Sequence, residues 1–245
     1  MNEFHIIAQA KGGVGKSLVS SIVGQFKRDH QQVPTICVDI DPLNNTFSQF
    51  KSLEVGFVDV TENGKEIVPT KFDTMINAVA DNESDFVVDS GASVFISLMR
   101  YLNQDRILSG LAEDLNKKVF VHTIIVGGQA KKFTLDGLAY LLNEVPNHPN
   151  VKIVVWINEH FGPVEIDSQP IENLKIVADA KDRMAGFITL HTNDSDAFNI
   201  EFEQYTTNHQ TLNDVLSDNP TFASKRRIDR FMKDVFGQLE IVVGG

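Results

Sequence analysis

The chain is poor in the residues that cross-link proteins or anchor them in membranes. Its 245 residues contain one cysteine, Cys37, so no intrachain disulfide can form and a thiolate-rich metal centre has no ligands. Cys37 sits in the apolar run Thr35–Val38 and reads as a plain buried thiol. The seven histidines lack both the i, i+4 pairing and the spacing of a zinc site. No apolar run approaches the ~20 residues of a membrane-spanning helix, and the N-terminus lacks the basic-then-apolar layout of a signal peptide; the expectation is a cytoplasmic protein without a membrane role. Low-complexity tracts and repeats are absent. Positive charge is also scarce: 22 Lys and Arg against 33 Asp and Glu leave a net charge of −11, which disfavours nucleic acid or anionic lipid over the surface as a whole. Either partner would need a local basic patch.

What the chain does have is a glycine-rich segment, Ala10-Lys11-Gly12-Gly13-Val14-Gly15-Lys16-Ser17, placed between the apolar run Phe4–Ala8 and a helix-like stretch. This is the strand–loop–helix context of a phosphate-binding loop. Glycines let successive N–H groups curl toward phosphate oxygens and the next helix offers its positive end, while Lys16 and Ser17 reach the terminal phosphates and a Mg²⁺. The general pattern opens with glycine where this chain has Ala10, and it lacks the extra lysine, Lys11.

Apolar, β-branched runs recur at Phe4–Ala8, Pro34–Asp39, Phe86–Asp89, Val119–Val126, Val151–Ile157 and Met184–Leu190. Stretches of helical period, among them Ser17–His30, Val94–Leu115 and Phe133–Val145, separate them. Continuous apolar strands alternating with helices predict one α/β domain over 1–245, a mainly parallel sheet covered on both faces, with ligands beyond the carboxyl ends of the strands. The segment from Glu54 to Val68, with Asn63-Gly64 inside it, reads as a short hairpin or edge addition.

Two acidic segments close strands at that edge. Val38-Asp39-Ile40-Asp41-Pro42 carries carboxylates that can position water or complete Mg²⁺ coordination. Phe86-Val87-Val88-Asp89-Ser90-Gly91 fits a Walker B carboxylate, Asp89, followed by a flexible switch. Asn158, after the run Val151–Ile157, is placed to pair with an adenine edge. Thr70-Lys71-Phe72-Asp73 matches a guanine-reading string but precedes the Walker B strand, so it reads as coincidence. Trp156 and His122 read as core residues.

The string Lys11-Gly12-Gly13-Val14-Gly15-Lys16-Ser17 resembles the deviant phosphate loop of the ParA/MinD superfamily. The stretches Asp89–Ser93, His122–Ala130, Val154–Asn158 and Phe161-Gly162-Pro163 make the chain similar, over about residues 4–215, to the TraL group of conjugative-plasmid transfer proteins. The resemblance implies a P-loop NTPase fold of the SIMIBI, ParA/MinD type and a Mg²⁺-dependent ATPase. Gly12, Gly13, Val14, Gly15, Lys16, Ser17 and Asn158 would bind ATP, and Ser17, Asp39 and Asp89 would serve the metal. Asp41 would orient the attacking water, and Lys11 would reach the nucleotide of a partner in an ATP-dependent homodimer. It implies partners among conjugative-transfer or relaxosome proteins; a nucleotide-holding scaffold with little turnover is the alternative. The lone Cys37 excludes the iron-cluster and C-x-x-C relatives that share this loop.

Near the C-terminus, at about 221–238, Lys225, Arg226, Arg227, Arg230 and Lys233 occupy a predicted helix with Phe222, Phe231, Val235 and Phe236 as apolar contacts. Arg226, Arg230 and Lys233 share a face. DNA binding, contact with anionic lipid and a solvated basic surface remain open readings of that face. The tail Leu239–Gly245 carries no readable signal.

Overall fold

A computed structural model describes residues 1–166, 169–192 and 195–244. Seven parallel strands form one sheet: β1 (Glu3–Ile7), β2 (Thr35–Asp39), β3 (Gly56–Phe57), β4 (Asp85–Asp89), β5 (Lys118–Val126), β6 (Val151–Asn158) and β7 (Met184–Leu190). They lie in the order β7-β6-β5-β1-β4-β2-β3. The chain starts in the middle, builds outward through β2 and β3, and returns across β1 to build the other half. β1 therefore sits at the switch point, where the loops after β1 and β4 part to leave a crevice.

Both faces of the sheet are covered, which is why its strands read as unbroken apolar runs. On one face Phe4, Ile6, Phe86, Val88, Val121 and Val155 pack under α2 (Phe72–Asp81), α3 (Phe95–Gln104), α4 (Ile107–Glu113) and α5 (Lys131–Glu144). On the other, Ile7, Val87, Ile124, Trp156 and Ile188 pack under α1 (Lys16–Gln25) and the C-terminal helix. Between β7 and that last helix stand α6 (Asp196–Thr207) and α7 (Leu212–Ser217), which with α8 (Phe222–Val243) enclose a small satellite core around Leu212, Val215 and Ile228.

Some local expectations are corrected and others refined. The stretch Val94–Leu115 is two helices, because Arg106 adopts a left-handed φ of 51° and ends the first. The Ser17–His30 stretch is α-helical to Gln25 and then widens into a π-helical turn, Phe26–His30. Gly56–Phe57 joins the main sheet beside β2, whereas Asn63-Gly64 turns a separate hairpin between Thr61–Glu62 and Glu66–Ile67. Both turn residues have positive φ, 53° and 69°, the geometry that an Asn-Gly pair favours. Helix α8 runs on through the unread tail to Val243; Gly245 lies outside the described residues. Val235, Phe236, Leu239 and Val243 anchor α8 to the sheet, at about 1.5–3 kcal/mol for each fully buried large side chain. Phe222, expected to pack, is instead 82% exposed.

Candidate phosphate-binding site

At the end of β1 the chain leaves the sheet through Ala8, tied to β5 by Ala8 N–H donating to His122 O at 2.9 Å. Gln9 is fully buried and its Nε2 donates to Thr123 Oγ1 (3.1 Å), Ile124 O (3.0 Å) and Thr134 O (3.2 Å). The root of the loop is thus fastened to β5 and α5. Gly13 (φ 73°) and Gly15 (φ 101°) take left-handed conformations, which lets the loop reverse before α1 begins at Lys16. Gly12 has neither a left-handed φ nor a close neighbour, since a Cβ there would meet nothing within 4 Å. Neither backbone conformation nor packing demands a glycine at that position, and bare backbone there fits close approach by a phosphate.

Gly12, Gly13, Gly15, Lys16, Ser17 and Asp41 line a cavity of about 540 Å³, together with residues of the loops after β2 and β4. Lys16 is buried, and its Nζ donates to Lys11 O at 3.2 Å. Burial lowers its pKa, while the Asp89 and Asp41 carboxylates oppose that shift. Ser17 Oγ donates to Asp89 Oδ2 at 2.6 Å and Ser20 Oγ to Asp89 Oδ1 at 2.9 Å. Burial pushes Asp89 up to about 7; the Asp39 charge adds to this, and the two hydroxyls and Lys16 work against it. A hydroxyl and a carboxylate in direct contact beside a lysine are hard oxygen donors suited to Mg²⁺.

The two acids after β2 have different surroundings. Asp39 is fully buried, accepting Asp41 N–H on Oδ1 (2.9 Å) and the Ser48 N–H (3.0 Å) and hydroxyl (3.2 Å) on Oδ2. Its pKa is raised by burial, and it anchors the loop that Asp41 belongs to. Asp41 faces the cavity, with Oδ1 accepting from Leu43 N–H (3.0 Å) and Asn44 N–H (3.2 Å). Lys11 is exposed. Asn158 lies against the loop: its Nδ2 donates to Val14 O at 3.1 Å and its Oδ1 accepts His160 N–H at 3.1 Å. In this conformation both amide atoms brace the chain, and each keeps one further hydrogen-bonding valence, a second N–H on Nδ2 and a second lone pair on Oδ1.

Sequence reasoning missed Ser20, Ser48 and the far wall of the cavity, formed by Thr46, Phe50 and Thr206. Ser20 had a signal: it lies three residues after Ser17 on α1, a spacing that puts both hydroxyls on one helix face. Thr206, at the end of α6, had none. The glycines of Gly127-Gly128 also gain a reason, because a Cβ on Gly127 would stand 2.4 Å from Gly162 O. The loops after β5 and β6 are pressed together there.

No described protein-family profile matches the chain. Two curated proteins of Escherichia coli, both called Protein TraL, are 32% identical over 241 residues, covering 98% of this chain and 98% of theirs. Among solved structures, a ParA family ATPase from Chlorobium tepidum superposes with a TM-score of 0.53 at 14% identity, covering 95% of this chain and 98% of its own. The MinD cell division protein of Aquifex aeolicus gives 0.51 at 15% identity, over 96% and 97%. At such identities the structures speak for the fold, a ParA/MinD-type P-loop architecture, and the sequence match speaks for the family: the chain belongs to the TraL family.

Proposed function

We propose that this protein is a Mg²⁺-dependent ATPase that closes around ATP as a homodimer and serves plasmid transfer or partition. The observation that carries the reading is the convergence of Lys16, Ser17 and Asp89 on the cavity lined by Gly12, Gly13 and Gly15, where a Cβ on Gly12 or Gly13 would meet nothing within 4 Å. Backbone N–H groups from Gly12 to Ser17 would hold the phosphates, with Lys16 as their point charge. Ser17 and Asp89 would hold Mg²⁺, which when bound neutralises charge on the β- and γ-phosphates. Asp39 keeps the Asp41 loop in place, and Asp41 is the group assigned to orient water. Lys11, exposed at the mouth of the site, is assigned to a partner's phosphates. Asn158 would offer its remaining N–H and lone pair to adenine. Retention of nucleotide without turnover, as a scaffold, is the competing reading, and steady-state turnover separates the two.

The test is titration of wild type and Lys16→Ala with Mg²⁺ and a non-hydrolysable ATP analogue, followed by light scattering. Lys16→Ala should lose at least 100-fold in affinity, about 2.7 kcal/mol. Lys11→Ala should bind as wild type does but stay monomeric. Equal affinity for wild type and Lys16→Ala would remove the site assignment. Cargo is a separate question. Arg226, Arg230 and Lys233 are exposed on α8, so two copies in a dimer could offer DNA a basic face that the acidic monomer lacks. ATP-dependent binding to random-sequence DNA that Arg226→Glu/Arg230→Glu abolishes would establish DNA as a partner; its absence would favour transfer proteins.

A further inference from the structure

Gly91 stands two residues after Asp89, where β4 has ended. Its φ lies outside the left-handed region that six other glycines occupy, so the backbone itself would accept alanine there. The obstacle is a side chain from another loop. A Cβ on Gly91 would fall 2.4 Å from Asp41 Cγ and Oδ1 and 2.8 Å from Oδ2, well inside contact distance for atoms that are not bonded.

Neither loop is free to yield. On one side, Asp41 is held by its own N–H on Asp39 Oδ1 (2.9 Å) and by Oδ1 accepting from Leu43 and Asn44. Asp39 is fully buried and fixed in turn by Ser48. On the other side, Ser90 N–H and Oγ both donate to Ile7 O, at 3.1 and 2.8 Å, and Gly91 O accepts Val94 N–H at 3.2 Å. Ser90 is fully buried. The loops after β2 and β4 are therefore two anchored bodies: Ile40 N–H donates to Asp89 O at 3.0 Å where they leave the sheet, and beyond that the carboxylate of Asp41 lies on the bare Cα of Gly91. Ala92 and Ser93, the next residues, line the same cavity as Asp41.

We propose that Gly91 is a positioning residue: its bare Cα seats the Asp41 carboxylate and couples the loop after β4 to the loop after β2. Any side chain at 91 drives the carboxylate from its seat and breaks the turn it caps. The seat itself follows from the geometry of the two loops, while its effect on turnover rests on the reading of Asp41 given above.

The experiment is a double-mutant cycle with two readouts, made on Gly91→Ala, Asp41→Ala and the double variant. In nucleotide-free protein, Gly91→Ala should lower Tm by roughly 2–10 °C, the range that overpacking by one methyl gives in a chain of this size. The same methyl added to Asp41→Ala should cost nothing, because the overlapping group is gone. In the second readout, Gly91→Ala should bind Mg²⁺ and the ATP analogue within about threefold of wild type yet turn over at least tenfold more slowly. It should slow Asp41→Ala no further, the pattern of a transition-state effect routed through one group. A methyl that costs the same on both backgrounds, or nothing on either, overturns the seat. Normal turnover in Gly91→Ala overturns the positioning role even where the Tm coupling holds. Should Gly91→Ala fail to fold, restoration of folding in Gly91→Ala/Asp41→Ala supports the seat and failure to restore it counts against it. Wild type that neither binds nor hydrolyses ATP would defeat the reading of the site, while the Tm cycle still judges the seat.

Discussion

Strand β4 carries an acid at each end, Asp85 and Asp89, four residues apart and both buried, yet their surroundings are opposite. At the amino end, Lys27 Nζ lies 2.9 Å from Asp85 and 2.7 Å from Glu3, and Glu3 N–H donates to Asp85 Oδ1 at 2.7 Å. The network continues across the sheet. Burial and the neighbouring His5 hold the pKa of His122 well below its usual value, so that ring is neutral. Trp156 Nε1–H donates to His122 Nδ1 at 2.9 Å. The proton of His122 therefore sits on Nε2 and goes to His5 Nδ1 (2.9 Å), and His5 Nε2–H goes to Glu3 Oε2 (3.0 Å). Each group in the chain has its partner, cation included. At the carboxyl end, the direct partners of Asp89 are two hydroxyls, and Lys16 points at a backbone carbonyl. The first cluster is complete within the protein and serves the fold. The second is held short of neutralisation, the arrangement of a site that binds something charged.

The largest effect expected from this contrast is on stability and comes from the end remote from the site. Lys27→Met leaves Glu3 and Asp85 buried without a cation, and breaking a buried ion pair from one side costs about 3–5 kcal/mol. Urea unfolding should show it, whereas Lys16→Ala should unfold close to wild type while losing nucleotide. If the two substitutions destabilise equally, the distinction between a structural and a binding cluster is wrong.

A smaller effect depends on pH. Burial alone would raise the pKa of Glu3, but hydrogen bonds from His5 and Lys27, together with the Lys27 charge, outweigh it and hold the group at about 2, below its ordinary 4.5. A depressed carboxylate contributes stability that is complete above pH 4.5 and is lost as pH falls toward 2. The gap in Tm between wild type and Glu3→Gln should therefore be widest above pH 4.5 and shrink steadily below it. A gap that stays constant from pH 5 to 3 would show that Glu3 acts through packing alone. The sign at Asp89 is opposite: with its pKa raised to about 7, the shift contributes nothing below its ordinary 3.8, lowers stability progressively as pH rises from 3.8 to about 7, and costs its full amount above that.

The two clusters differed in legibility as well. The phosphate loop, Asp89 and Asp41 lie next to apolar strands in short, spaced strings, so sequence alone brings them to one edge of a parallel sheet. The strand runs were legible for the same reason, since burial on both faces leaves continuous apolar stretches. Glu3, Lys27 and Asp85 gave no such signal: the ion cluster joins residues 82 positions apart, and each looked like an ordinary charge beside an apolar run. The contact of Asp41 with Gly91 is long-range too and depends on loop conformation. Arg106 breaks a helix through one left-handed φ, which its residue type does not announce, because such conformations favour glycine or asparagine.

The finest test uses one substitution at both ends of β4. Asp85→Asn and Asp89→Asn each replace a carboxylate by an amide of nearly the same shape, so packing is held nearly constant while the charge is lost and one acceptor becomes a donor. Asp85→Asn weakens a charge-assisted bond to Lys27, and hydrogen bonds to charged groups are worth about 1.5–3 kcal/mol. Asp89→Asn removes a buried negative charge whose direct partners are hydroxyls that can also accept from an amide. At pH 8 without nucleotide it should therefore leave Tm unchanged or raise it, while removing Mg²⁺-dependent gain in affinity for the ATP analogue. Asp85→Asn should lower Tm and leave that gain intact. Should both variants lose stability alike, Asp89 belongs with the structural acids, and the case for a cation at Ser17 and Asp89 loses its physical basis.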